Sequence, residues 1–135
     1  MKFDIKELTL EEKLRLLTGK NRWQLYTANG KLPEVWLCDG PHGLRKKLDD
    51  GTTVPATAMP TLSVLANTWD TELAYLHGAT IADECIEHSA SVLLAPGVNI
   101  KRTPLCGRNF EYFSEALCLR DIWRKRTYKA FKTRA

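Results

Sequence analysis

No run of apolar residues in this chain approaches the roughly 18 that a membrane-crossing helix requires. The N-terminal stretch MKFDIKELTLEEK is charged throughout, with no apolar core of a secretory leader, so a cytoplasmic protein without a membrane partner is expected. Cysteine is sparse and scattered. Cys38, Cys85, Cys106 and Cys118 never form a C-x-x-C pair, which argues against a zinc site and for reduced, mostly buried thiols. Internal repeats, low-complexity segments and sustained heptads are also missing, which excludes solenoid, fibrous and coiled-coil architectures.

Excess positive charge is absent from most of the chain. The net charge is +4, but Arg120, Arg124, Lys125, Arg126, Lys129, Lys132 and Arg134 stand against Asp121 alone in the tail. Residues 1–119 therefore carry 13 basic and 15 acidic side chains, and nucleic acid is not an expected partner.

What the chain does hold is the content of one soluble domain: 135 residues, 44% of them hydrophobic. Thr9 and Glu12 form a capping box ahead of Leu10, Leu14, Leu16 and Leu17, and Gly19 follows, predicting a short amphipathic helix over 9–19. VWLCD is a brief apolar run suited to a buried strand ending at Asp39, and 40–60 is rich in turn formers and reads as a long loop. Asp70 caps a second helix, with Leu73, Leu76, Ala79, Ala82, Cys85 and Ile86 at helical spacing. SVLLAPG then reads as a second buried strand. Strand, loop, helix and strand in this order point to an α/β fold with a parallel sheet.

Each expected strand runs into a polar segment rich in glycine and proline, and in α/β folds ligands sit at that C-terminal side. In DGPHGLR, Asp39 stands at a strand end, followed by turn residues and Arg45. A carboxylate held there can accept hydrogen bonds from two neighbouring sugar hydroxyls. The same residues also suit a plain turn, with Asp39 capping backbone amides and pairing with Arg45. In PGVNIKRTPLCGRNFEYFSE, Arg108 has Glu111 and Glu115 as near partners, so the loop is either self-braced or aims an arginine at ligand oxygens.

Taken in order, TLEEKLRLLTGKNRW, LPEVWLCDGPHGLR, PATAMPTLSVLANTWDTELAYLHGATIADE and VLLAPGVNIKRTPLCGRNFEYFSE resemble the start of glycoside hydrolase family 3, the family of β-glucosidases and related exo-acting enzymes. The resemblance covers residues 9–115. It implies the first part of a (β/α)8-like, TIM-type barrel, incomplete in this chain because such a barrel takes about 250 residues. It also implies a retaining hydrolase that removes terminal β-linked glycosyl residues, with a small β-glucoside-type carbohydrate as substrate and no metal or organic cofactor.

By that resemblance Asp39 and Arg108 match residues that bind the non-reducing terminal sugar, with Arg45 closing the same motif beside Asp39. Arg102 and Glu115 match supporting residues of the loop. The family's aspartate nucleophile and acid/base glutamate have no counterpart here, and Asp83, Glu84, Glu87 and Glu111 sit in no matching motif. A truncated member, inactive alone, is therefore expected.

On this reading residues 1–119 are the N-terminal part of the barrel domain, and 116–135 are a basic tail produced by a shifted reading frame. Codons chosen to encode that tail and read one base earlier give GPLLAGYMEEAYVQGVQDQG, a helix of the kind the family places after Ser114-Glu115. Read literally, the same tail is a basic amphipathic helix. The alternative to a hydrolase fragment is thus a stand-alone carbohydrate-binding or interaction domain with a basic amphipathic tail.

Overall fold

The computed structural model describes residues 4–116 together with Lys125, Lys129 and Lys132. Apart from Ala116 and those three lysines, the 116–135 tail and the two readings of it lie outside the described residues.

After a 3-10 turn at Ile5–Glu7 comes α1, Leu10–Thr18, with the expected start and stop. Thr9 Oγ1 accepts from the Glu12 N–H at 3.2 Å, Glu12 Oε2 accepts from the Thr9 N–H at 2.9 Å, and Gly19 ends the helix at φ 74°. Its leucines do not form the buried stripe that the spacing predicts. Leu10, Leu14 and Leu17 are exposed, Leu17 at 84%, whereas Glu12 is the buried residue of the helix. The reason is a polar anchor: Lys31 Nζ reaches both Glu12 carboxylate oxygens at 2.9 Å, and Asn29 Nδ2 donates to the same group at 3.3 Å. The Thr9 N–H, and after it Lys31, hold the Glu12 carboxyl below the usual carboxylate range.

β1, Leu37–Asp39, and β2, Val92–Leu94, pair in parallel, with Leu37 opposite Val92 and Asp39 opposite Leu94. The chain crosses between them through α2, Leu62–Asn67, and α3, Thr71–Glu87, so the expected α/β order holds. β2 differs from the buried strand of the sequence reading, because Val92 and Leu94 are exposed. Side chains alternate across a sheet. Cys38 and Leu93 turn toward α3, while Val92 and Leu94 point to the face that no described element covers.

α2 falls in a stretch that the sequence did not mark as helical. Thr61 caps it, accepting from the Val64 N–H at 3.4 Å, and six residues are too few for a readable periodicity. In α3, Asp70 Oδ1 accepts from Glu72 and Leu73 at 2.9 and 3.3 Å as anticipated. Its buried face takes only part of the expected stripe: Ala79, Ala82 and Cys85 go inside together with Ala74, His77, Gly78 and Ile81, whereas Leu73, Leu76 and Ile86 stay exposed. Ala74 packs on Leu62, Leu65 and Phe113, and Ile81 and Cys85 pack on Trp36, Cys38 and Leu44, which leaves the leucines on the outer side.

Two apolar clusters follow. One holds Trp36, Cys38, Leu44, Ile81 and Cys85 between sheet and helix; the other holds Leu62, Leu65, Ala74 and Phe113. α3 contributes to both, and Phe113 ties the chain after Arg108 into the second. Cys38 and Cys85 are buried free thiols, and burial lifts the Cys85 pKa to about 11. Cys106 departs from the expectation for thiols and is exposed, because it lies on the surface loop before Arg108. No helix among the described residues is long and apolar enough to cross a membrane.

Candidate functional site

Parallel pairing puts the C-terminal ends of β1 and β2 side by side, with Asp39 at one and Leu94 at the other. The chain leaves β1 through a tight turn. Gly40 and Gly43 have φ of 143° and 123°, and a Cβ on either would overlap a carbonyl, that of Gly43 or that of Thr57. One Asp39 carboxylate oxygen accepts from the Gly40 N–H at 3.0 Å, and the Asp39 carbonyl accepts from the Arg45 N–H at 2.8 Å.

Beyond β2 the chain passes through a cis Ala95-Pro96 peptide to Gly97, whose backbone lies against the Glu111 carbonyl so closely that a Cβ would collide with it. This contact docks the Arg108 turn onto the strand end. Gly97→Ala is expected to push that turn away and to cost about 1–3 kcal/mol, the range for inserted bulk in a packed contact. Urea unfolding of the variant beside the parent chain measures it.

The two strand ends and the docked turn enclose a cleft of about 250 Å³, lined by Asp39, Gly97, Asn99, Arg108, Glu111 and Tyr112 among others. Arg108 is the exposed cation on its rim, its side chain 74% accessible, and its Nε donates to the carboxylate of Glu111, which is only 13% accessible. The hydrogen bond and charge of Glu111, with smaller contributions that include Asp39, raise the Arg108 pKa further. The cleft therefore presents the Asp39 carboxylate and the paired Arg108 and Glu111 across a gap open to solvent, a pattern suited to a ligand with many hydroxyls.

The structure brings together two of the residues singled out in the sequence, Asp39 and Arg108. Arg45 is bridged to Asp39 through the backbone, but its exposed side chain does not line the cleft. Arg102 and Glu115 border a separate cleft of about 230 Å³ with Lys101 and Asn109, and among the described residues no ion pair joins them. Arg108 is braced by Glu111 and not by Glu115.

Three side chains that the sequence reading passed over hold the site together. His42, inside DGPHG, accepts the Leu62 N–H on Nε2 at 3.1 Å and packs its ring on Phe110 at 5.7 Å, linking the two loops through α2. Burial lowers its pKa, which suits a neutral ring acting as acceptor, with the proton on Nδ1. Ser63 and Lys101 meet behind the Arg108 turn. His42 could have been noticed within its motif. The other two carry no local signal. Among the described residues no cluster of three or more side chains suits a metal ion.

The model for the glycosyl hydrolase family 3 N-terminal domain matches residues 4–130. The chain belongs to glycoside hydrolase family 3. It is 48% identical over 118 residues to thermostable beta-glucosidase B of Acetivibrio thermocellus, an alignment covering 82% of this chain and 16% of that protein. It is 46% identical over 119 residues to an exo-alpha-(1->6)-L-arabinopyranosidase of Bifidobacterium longum, with the same two coverages. This family 3 chain thus spans about a sixth of the length of the curated relatives it matches. Among solved structures, a family 3 beta-glucosidase of Bifidobacterium adolescentis superposes with a TM-score of 0.83 at 41% identity, covering 96% of this chain and 18% of that one. Beta-glucosidase 3B of Thermotoga neapolitana, in complex with alpha-D-glucose, superposes at 0.81 with 36% identity, covering 96% and 21%.

Proposed function

We propose that this chain supplies the sugar-gripping part of a family 3 glycoside hydrolase acting on terminal β-linked glycosyl residues in carbohydrate metabolism. The observation that carries this is the convergence of Asp39 and Arg108 on one cleft at the C-terminal ends of two parallel strands. The Asp39 oxygen left free by Gly40 accepts from one or two hydroxyls of the non-reducing terminal sugar, and Arg108 donates to a neighbouring oxygen from the nitrogens that Glu111 does not engage. The uncovered face of Val92 and Leu94 supports the finer architecture, in which β1 and β2 are the first strands of a (β/α)8-type barrel whose interior that face would line.

Retaining glycoside hydrolysis needs two carboxyl groups about 5–5.5 Å apart across the scissile bond. Glu111 is committed to Arg108, and Asp39 is committed in this reading to the sugar's hydroxyls, so the chain binds without cleaving. The sugar itself is not fixed by likeness, since a glucosidase and an arabinopyranosidase are similar to this chain at 48% and 46% identity.

Purified chain tested on p-nitrophenyl β-glucoside and, separately, heated across a glucose series checks the reading. The expected result is a saturable rise in melting temperature with glucose and no p-nitrophenol release. Turnover would contradict the assignment of a grip without catalytic carboxyls; a melting temperature indifferent to glucose, arabinose and methyl β-glucoside would contradict the grip.

A further inference from the structure

Arg108 is an exposed side chain whose hydrogen bond runs to Glu111, three residues along the same turn. Its direction is therefore set by where the backbone of 108–111 is fixed. Behind that turn stands Ser63, on α2. Its Oγ lies 3.2 Å from the Asn109 carbonyl, 3.3 Å from that of Phe110 and 3.2 Å from that of Tyr112. Lys101 Nζ approaches the same Oγ at 2.6 Å. A serine hydroxyl has one proton and two lone pairs. The ammonium can only donate, so it occupies a lone pair, and the Ser63 proton is left facing the three carbonyls. These carbonyls belong to the 3-10 helix Asn109–Glu111 and the residue after it, and that of Asn109 also accepts the Tyr112 N–H at 3.3 Å.

We infer that Ser63 and Lys101 act as one pin, positioning residues that seat the turn so that Arg108 faces Asp39 across the cleft. The inference rests on the sugar-grip reading for its functional consequence, but the pin itself is a statement about the turn. Lys101 comes from the strand-end loop and Ser63 from a separate helix, so the pin joins the loop after β2 to the helix that precedes α3. Partial burial lowers the Lys101 pKa, the direction expected of an ammonium drawn out of water. Neither residue reaches the cleft that holds Asp39 and Arg108.

The test uses the full chain, with Ser63→Ala, Lys101→Met, the double variant and the conservative Lys101→Arg. Two readouts are taken: the glucose dissociation constant from an NMR titration, and the side-chain Nε–H resonance of Arg108, assigned by its loss in Arg108→Lys. Each single removal is expected to weaken glucose binding by about 3- to 10-fold and to move the Arg108 resonance before any sugar is added. The double variant should be no worse than the poorer single one, because both remove the same device, and Lys101→Arg should restore most of the loss. Unchanged binding with an unmoved resonance would overturn the pin, as would multiplying effects in the double variant. If Ser63→Ala does not fold, Lys101→Met and Lys101→Arg decide alone. Should the parent chain fail to bind glucose, the sugar reading fails, while the Arg108 resonance in the variants still decides the pin.

Discussion

Replacing Asp39 with alanine is expected to weaken glucose binding by about 10- to 100-fold, since a hydrogen bond to a charged group contributes about 1.5–3 kcal/mol. Alanine also removes the bond from the Gly40 N–H that shapes the turn, so a second variant is needed to separate the two roles. Asp39→Asn keeps an oxygen for Gly40 but loses the charge and one acceptor. It should leave the melting temperature near that of the parent while still binding glucose at least several-fold more weakly. Arg108→Ala is expected to match the Asp39→Ala loss. Arg108→Lys should recover little of it, because an ammonium cannot hold Glu111 and reach a sugar oxygen at once with the planar fork of a guanidinium. Equal binding by the parent chain, Asp39→Asn and Arg108→Ala would contradict these roles.

The second large effect is acid sensitivity seated at His77. This residue is 7% exposed, and both ring nitrogens are buried without a hydrogen-bond partner. Burial, and after it the nearby His42, push its pKa down from 6.5 to about 4. The folded state thus favours the neutral ring more than the unfolded state does. The stability this reflects is complete above pH 6.5 and is lost as pH falls from there to about 4, by on the order of 3 kcal/mol. His42 acts in the same direction, because its protonated ring could no longer accept the Leu62 N–H. Urea midpoints measured between pH 7 and pH 4 should fall steeply for the parent chain and much less for His77→Leu. That variant should also be at least as stable at pH 7, because it removes two unsatisfied polar atoms from the interior. An equal slope in both proteins would place the acid sensitivity elsewhere.

Local signals in the sequence carried well into the structure. The capping box at Thr9 and Glu12, the stop at Gly19 and the Asp70 cap depend on residues a few positions apart, and all are present. The two strands were legible from short apolar runs bounded by turns. Which side of each helix faces inward was legible only in part, since Ala79, Ala82 and Cys85 of α3 are buried as expected and the leucines are not. The outward leucines of α1 follow from a Lys31 that reaches Glu12 from 19 residues away. Those of α3 follow from the packing of Ala74 against Leu62, Leu65 and Phe113, and of Ile81 and Cys85 against Trp36, Cys38 and Leu44. Neither fact is written in a periodicity.

The site divides along the same line. Asp39 and Arg108 stood out only because DGPHGLR and GRNFEYFSE resemble family motifs, since by themselves the two segments also suited a plain turn and a self-braced loop. Ser63 acts on carbonyls 46 to 49 positions away, and His42 on an amide 20 away. Only the packing of α2 between the two loops reveals them.

On the proposed reading, Asp39 and Arg108 form two sides of one sugar grip. A titration of isotope-labelled chain with glucose, followed by backbone and arginine side-chain NMR, tests it most directly. The predicted result is a saturable set of shifts at Asp39, Gly40, Gly97, Asn99 and the Arg108 Nε–H, abolished in Asp39→Ala. Shifts that saturate elsewhere on the chain, or that persist unchanged in that variant, would contradict it.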